Sequence, residues 1–526
     1  MPKADNAIIM AAGMANRFVP LSYEQPKGLL RVKGEVLIER EITQLQEAGI
    51  YDITLVVGYM KEKFFYLKEK YGVDIVVNED YYRYNNTSTL MCVLDRLSNT
   101  YICSSDNYFS ENVFTRQVPY SYYAAVYGEG KTKEYCLETD GEGIIKKVAI
   151  GGHDAWYMLG HAFFAKEFSE KFKQILVKEY ENSITKEHLW EDLYIRYIDE
   201  LKLHIKKYAK DMIYEFDTLE ELREFDETYK VYSGSKIMDT IRKCFGCHEV
   251  DISNIKSLDG GMTNRNFTFV CGGDRYVYRY PGEGTEQLIN RKEEKISTKL
   301  ASELGIDTKL IYFDENSGVK ITPYIKGART MSKETFHENE NIRSAAKVLY
   351  KLHHCKQNTG ISFDVFGMAA KYEEYIKQNK GTFFEDYEEI KKKVYKIKEE
   401  MGCEGIQTVP CHNDPLCANW VKGTEGMFLI DWEYAGMNDA MWDLADFSIE
   451  ADLTNELETF LLNTYFDRES TENEKIRFTA NKVFIDFLWT LWGKTRVPFE
   501  GEWMERYAME RYDRLKQNLE QIKYKR

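Results

Sequence analysis

The decapeptide CHNDPLCANW, residues 411–420, sets Asp414 five residues ahead of Asn419, with His412 just before them. This is the spacing H-x-D-x-x-x-x-N, in which the carboxylate can accept the proton of an attacking hydroxyl while the amide oxygen faces a magnesium ion. Farther on, MFLIDWEYAG places Asp431 at the end of an apolar run, where a strand would hold it against a metal-bound phosphate. Each of these residues alone also suits a helix cap or a turn. In this order they point to phosphoryl transfer.

Upstream, LDGGMTNRNF (258–267) reads as a glycine turn in which the backbone at Gly261, Thr263 and Asn264 could approach a nucleotide. A plain hairpin is the alternative. YVYRYPG puts Arg279 on the next strand, and Glu293 or Glu294 opens the following helix, within reach of an ion pair. Downstream, FLWTLWGK holds Trp489 and Trp492, and AMWDLADFSIE holds Trp442 and Glu450. A quaternary ammonium has no N–H to donate, so aromatic faces and a nearby carboxylate are what would recognise it. Tryptophans three apart on a helix also simply share a buried face.

A second constellation lies at the other end of the chain. MAAGMANRFVPLSYEQPKGLLRVKG (10–34) follows an apolar run and contains Ala12, Gly13, Arg17 and Lys27. Such a loop can wrap a triphosphate with backbone N–H groups, while the two cations neutralise charge growing on a leaving pyrophosphate. It lacks the GK[ST] ending of a P-loop, and an ordinary βα turn reads equally well.

The elements that must carry these residues follow from apolar periodicity. AIIMAAG (7–13), DITLVVGY (52–59) and DIVVN (74–78) alternate with amphipathic stretches such as VLIEREITQLQEAGI, the rhythm of a doubly wound, mostly parallel sheet. YICSSDN (101–107), SYYAAVY (121–127) and IIKKVAI (144–150) continue the strands, and FDTLEELREFDETY closes the region as a helix. The polar run VYSGSK (231–236) marks a boundary, giving domains 1–230 and 236–526. After it come a helix, two strands around paired glycines, a helix over EEKISTKLASELG, a strand KLIYFDENSGVKITPYI, and then mostly helix. At 526 residues, two cores or more are the expectation from length as well.

From about residue 237 onward, the motifs GGMTN, HNDPLCAN and IDWEYAG resemble choline kinases and their aminoglycoside-phosphotransferase-like relatives. The resemblance implies a bilobal, protein-kinase-like α+β domain, ATP as phosphate donor, Asp414 as base, and Mg²⁺ held by Asn419 and Asp431. Arg279 stands where a protein kinase carries lysine, a departure that choline kinases share. The resemblance also makes Trp442, Glu450, Trp489 and Trp492 the choline pocket.

Residues 5–228 resemble nucleotidyltransferases of the G-x-G-x-R…P-K type, with Ala15 in place of the second glycine. VVGYMKEKFFYLKEKYGVDIVVNEDYYRYNNTSTL (56–90) resembles the CTP:phosphocholine cytidylyltransferase run that includes Gly58, Asn78 and Ser88. That resemblance implies a Rossmann-like α/β fold, CTP, and magnesium on Asp106 and Asp217. Phosphocholine would then meet Trp156 and Tyr157 of DAWYMLGHAFF and Glu191 and Asp192 of HLWEDL. Trp190 is a further candidate. A tryptophan beside acids is, however, often a helix lying half in a core.

The implied chemistry is choline to phosphocholine in the second domain and phosphocholine to CDP-choline in the first. Ethanolamine, another amino alcohol or a phosphonate are alternative substrates; a choline-metabolite sensor with one inactive domain is an alternative class. A net charge of −15 argues against nucleic acid as partner and suits cationic small molecules. The scattered cysteines, the lack of a signal peptide and the lack of a membrane-length apolar run lead us to expect a cytoplasmic protein.

Overall fold

The computed structural model describes residues 3–258, 264–282, 289–401 and 406–524. Its contacts divide the chain into two units: Met1–Ser257 with Val270–Gly272, and Leu258–Phe269 with Gly273–Arg526.

The first unit is built on a seven-stranded mixed sheet. Its strands are β1 (Asn6–Ala11), β2 (Ile53–Val57), β3 (Asp74–Val77), β4 (Thr100–Ser104), β5 (Tyr122–Thr139), β6 (Ile145–Phe164) and β7 (His204–Tyr208). They lie in the order β7-β5-β6-β4-β1-β2-β3. β1 runs parallel to β2 and β4, β2 to β3, and β7 to β5, while β6 is antiparallel to both of its neighbours. Successive residues of β1 feed opposite faces. Ile9 packs into one apolar cluster with Leu55 and Tyr101, and Ile8 into the other with Val56 and Ile102. Burial on both faces explains why these strands read as unbroken apolar runs. Helix α1 (Leu37–Glu47) covers one face with Ile38, Ile42 and Leu45.

Two elements differ from the sequence reading. The strands at 121–127 and 144–150 are parts of one long hairpin of 18 and 20 residues, whose pairing shifts register at several bulges. The closing helix is broken into Leu219–Phe225 and Thr228–Val231, with Asp226 accepting from the Lys33 and Thr228 amides at the break.

The second unit opens with strands β8 (Asn264–Cys271), β9 (Asp274–Pro281), β10 (Tyr312–Phe313) and β11 (Lys320–Pro323), adjacent in the order β8-β9-β11-β10. The stretch at 309–325 is thus a hairpin and not one strand. Asp314 accepts from the amides of Asn316 and Ser317, and Gly318 takes φ +78° to turn the chain. Helix α2 (Arg291–Leu304) lies between β9 and β10 in the chain, capped by Asn290. The remainder is mainly helical. Its core gathers around α3 (Ala440–Glu450), α4 (Glu472–Glu500) and α5 (Glu502–Tyr524).

Candidate functional site

In the first unit, the loop after β1, the segment after β3 and the end of β4 enclose a cavity of about 490 Å³ at the carboxyl ends of the strands, where open α/β sheets bind ligands. Ala12, Gly13, Lys27, Asn78 and Asp106 line it. The loop reaches this shape with Ala15 in the left-handed region, φ +49°, where the related motif has glycine. Gly28 is needed for a different reason: a Cβ there would come within 2.7 Å of Ser105 Oγ.

Lys27 is buried, and its Nζ lies 2.7 Å from Asp106 Oδ2. Burial alone would lower its pKa, but Asp106, Glu215 and Asp217 outweigh that and hold the ammonium above the ordinary lysine value. Arg17 reaches Asp217 at 2.7 Å from an exposed position. Asp106, which lines this cavity, and Asp217 both act electrostatically on the same lysine, and carboxylates are the ligand type that fits a hard, oxygen-seeking cation such as magnesium.

Gly58 and Ser88 do not reach the cavity lining. Gly58 permits close contact with the Tyr81 ring, and the buried Ser88 hydroxyl donates to the Asn85 carbonyl. Asn78 lines the cavity, but its amide nitrogen donates to Ser88 Oγ at 2.8 Å and Thr89 Oγ1 at 3.2 Å.

The four residues expected around the ammonium group are not brought together. Tyr157 borders a second cavity, about 590 Å³, with Arg17, Glu134, Tyr214, Glu215 and Asp217. Trp156, its neighbour on β6, points to the opposite face and packs edge-on to Tyr127, with Lys207 over its ring. Glu191 is buried and accepts from Tyr123 Oη at 3.0 Å and from Asn86. Burial pushes its carboxyl up to about 7. Asp192 caps its own helix and accepts from Tyr135 Oη, while Trp190 is core, stacked on Tyr123. Strand alternation separates Trp156 from Tyr157, and helix packing accounts for Glu191 and Asp192, as it does for Trp190. Glu134, Tyr214 and Glu215 were missed. Glu215 and Tyr214 adjoin Asp217 in the same short extended segment, a signal that the YEFDT motif did contain.

In the second unit, Asp414 follows a strand (Val409–Cys411) in a loop fixed from below. Asp443 of α3 accepts the backbone N–H groups of His412 at 2.8 Å and Asn413 at 2.7 Å, one on each oxygen. The Trp442 indole donates to the Asn413 carbonyl at 3.0 Å. His412 donates from Nε2 to the Ile430 carbonyl and accepts the Asp414 amide at Nδ1, which requires the neutral ring, and burial lowers its pKa. It therefore supports the loop. Burial and the charges of Glu450, Asp431 and Glu433 push the Asp414 carboxyl well above its usual range, with Arg511 opposing them.

Asn419 donates its amide nitrogen to the Asp414 carbonyl at 3.0 Å, which orients the side chain by that bond. Asp431 has φ +71° and lies 3.3 Å from Arg279. Arg279 is buried, pairs with Glu294 at 2.5 Å and donates to the Gly318 carbonyl. Of the two candidate glutamates, the buried Glu294 makes the pair and Glu293 is exposed. Asn264 donates to Glu433. Oxygens of Glu294, Asp431 and Glu433 lie within 4.8 Å of one another, but Arg279 and Arg291 hold Glu294 and Arg291 holds Glu433, which leaves Asp431, with its longer 3.3 Å contact, as the acid of the three that fits a magnesium ligand. Gly261 and Thr263 lie outside the described residues.

The aromatic residues form a chain beside Asp414. Tyr434 meets Trp489 edge-on at 5.3 Å, Trp489 meets Trp492 at 6.1 Å, and Trp492 meets Tyr507 at 5.8 Å. Trp442 does not join them; it is 1% exposed and holds the catalytic-type loop from the core. Glu450 is adjacent to Asp414 electrostatically, but its carboxylate is paired with Arg511. Glu433 and Tyr434 were missed inside a motif that contained them. Asp443 was likewise missed inside AMWDLADFSIE, and Tyr507 and Arg511 were missed because only folding brings them to the loop.

Comparison with known proteins gives two family matches: residues 7–117 to the MobA-like NTP transferase domain and residues 255–485 to choline/ethanolamine kinase. A choline-phosphate cytidylyltransferase of Streptococcus pneumoniae is 34% identical over 224 residues, covering 43% of this chain and 98% of that one. A 2-aminoethylphosphonate cytidylyltransferase of Lancefieldella rimae is 35% identical over 228 residues, covering 43% and 93%. The protein LicA of Haemophilus influenzae is 30% identical over 269 residues, covering 50% of this chain and all of its own.

Proposed function

Because the chain belongs to the choline/ethanolamine kinase family through its second half and to the choline-phosphate cytidylyltransferase kind of NTP transferase through its first, we propose that it is a bifunctional transferase making CDP-choline. Residues 236–526 phosphorylate choline with ATP, and residues 1–230 transfer the cytidylyl group of CTP to the phosphocholine so formed. The order in the chain reverses the order of the reactions. The observation that carries the choline reading is the continuous aromatic chain Tyr434–Trp489–Trp492–Tyr507 beside Asp414.

In the kinase step, choline lies with its trimethylammonium against those rings and its hydroxyl toward Asp414. The Asp414 carboxylate accepts the hydroxyl proton as the oxygen attacks the γ-phosphorus and ADP leaves. Arg279, held by Glu294, is the cation facing the ATP phosphates. In the cytidylyl step a phosphocholine oxygen attacks the α-phosphorus of CTP in line, and pyrophosphate departs against Lys27 and Arg17. The attacking phosphate needs no protein nucleophile or base. Asn419 and Asp431 in one domain, and Asp106 and Asp217 in the other, would hold magnesium, which when bound would supply positive charge against the phosphates. The protein works on small molecules in the cytoplasm.

One observation favours a second reading of the first domain. The cavity beside Tyr157 has Glu134, Glu215 and Asp217 but only two tyrosines, Tyr157 and Tyr214, a lining rich in hydrogen-bond acceptors that suits the primary ammonium of an aminoalkyl phosphonate. Incubating the full chain with choline, ATP, CTP and Mg²⁺ should yield phosphocholine and CDP-choline, and Asp414→Ala should abolish the first product while leaving CDP-choline formation from supplied phosphocholine. Faster cytidylyl transfer to 2-aminoethylphosphonate than to phosphocholine would replace the first-domain substrate. Survival of both activities in Asp414→Ala would refute the division of labour.

A further inference from the structure

Arg511 is a cation built into a site that the reading above assigns to a cationic substrate. It lies on α5, 5% exposed, with its guanidinium 4.9 Å from the centre of the Tyr507 ring. One end pairs with Glu450 of α3 and the other reaches Asp486 of α4 at 3.4 Å. Arg514 also holds Asp486, reaching Oδ1 at 2.7 Å and Oδ2 at 2.9 Å. Tyr507, the last ring of the aromatic chain, feels the charges of Arg511, Glu450 and Asp414 together, so this ion pair borders the place where the alcohol must stand. Three helices therefore converge on one guanidinium.

We propose that Arg511 determines which amino alcohol the second domain accepts, by occupying the carboxylate that a primary ammonium would need. This inference rests on the kinase reading. A primary ammonium brings three N–H groups against these rings, and each needs an acceptor once its water is lost. Glu450 and Asp414 are the acids that act on Tyr507, and the guanidinium already engages Glu450. Asp486 lies between two arginines. Asp446, fully buried on α3, has no hydrogen-bond partner among the described residues, and it too faces Arg511 electrostatically. A primary ammonium entering here would lose its water, find the acid taken, and meet a second cation.

A quaternary ammonium makes no such demand. It has no N–H to satisfy, and its diffuse charge is met by the faces of Tyr434, Trp489, Trp492 and Tyr507. The pair Glu450–Arg511 is then neutral toward it, and its stacking keeps Tyr507 in place as the last wall. Selectivity for the methylated substrate thus comes as much from masking an acid as from supplying rings.

The test compares choline and ethanolamine as phosphate acceptors, by kcat/KM, in the full-length protein and three variants. Cytidylyl transfer to supplied phosphocholine in the same preparations reports on the rest of the chain. Arg511→Gln frees Glu450 and should lower the choline-to-ethanolamine ratio by about tenfold or more, chiefly through a lower KM for ethanolamine, since one hydrogen bond to a charged group is worth at least that factor. Arg511→Lys keeps the charge and should recover most of the ratio. The double variant Arg511→Gln, Glu450→Gln removes both charges and should restore the ratio to within about threefold of wild type, tenfold being 1.4 kcal/mol. It carries no unpaired carboxylate at 450, so it also decides the matter if Arg511→Gln fails to fold. An unmoved ratio in Arg511→Gln, or a double variant as unselective as the single one, overturns the proposal. A wild-type preference for ethanolamine overturns it while leaving the kinase reading intact, and a wild type that phosphorylates neither alcohol removes the reading itself.

Discussion

Asp443→Asn probes the loop that carries Asp414 without touching any group proposed to contact substrate. Asp443 is fully buried and accepts one backbone N–H on each oxygen, from His412 and from Asn413, with His353 Nε2 at 3.1 Å as a third neighbour. Asparagine keeps one acceptor and replaces the other with an NH₂ group. One of the two amides would then face a donor. A hydrogen bond to a charged acceptor contributes roughly 1.5–3 kcal/mol, and an unmet buried donor costs about 1–3 kcal/mol, so the loop conformation loses roughly 2.5–6 kcal/mol relative to its alternatives. Asn413 holds φ +67°, a conformation that relaxes readily once its amide is unmet. A shift of about 1 Å in the Asp414 carboxylate would reduce turnover by roughly 100-fold. The assay is ADP release with choline and ATP, with CDP-choline formation from supplied phosphocholine as internal control. We expect kcat of the first to fall by about 100-fold, KM for choline to change little, and the control to stay within about twofold. Unchanged phosphorylation in a folded Asp443→Asn protein would refute the anchoring role. So would a loss that appears only in KM.

Lys27→Met should remove the cation beside the departing pyrophosphate and lower cytidylyl transfer by about 100- to 1,000-fold, with choline phosphorylation intact, as read by product formation from each substrate pair. Trp489→Ala should raise KM for choline by roughly 5- to 30-fold, since a desolvated cation–π contact is worth about 1–2 kcal/mol, while Trp156→Ala should leave that KM alone because Trp156 belongs to the other unit. Glu191 has its folded pKa raised to about 7, above the ordinary glutamate value of 4.5. The folded chain therefore holds the proton that the unfolded chain releases, and the stability it contributes is complete below about pH 4.5 and is lost as pH rises toward 7. Glu191→Gln should flatten that loss, and urea denaturation at pH 5 and pH 7.5 will show wild type weakening more than the variant.

The parallel part of the first sheet was legible because both of its faces are buried, so β1, β2 and β4 are written almost entirely in apolar residues. The long hairpin was not. Beyond Val126 its sequence reads YGEGKTKEY, with exposed or half-exposed side chains on both faces, and pairing rather than apolar alternation holds it. The same loss of pattern separated Trp156 from Tyr157. Adjacent in sequence, they serve opposite faces of β6, which is evident only when the strand is known to continue through them.

Helix α3 presents the opposite problem. Every residue from Met441 to Ile449 is buried, so periodicity carries no information about which side meets the loop. Trp442 and Glu450 were the residues whose chemistry stood out, and neither does what its type suggested: the indole nitrogen holds a backbone carbonyl, and the carboxylate is bound by an arginine 61 positions later. The less conspicuous Asp443 is the residue that fixes the loop. Motif residues such as Asp414, Asn419 and Asp431 are legible because the chain itself sets their spacing. The charge that each acid presents to a substrate depends on what folding brings against it, and a cation such as Arg511, with no motif of its own, decides whether Glu450 is available at all.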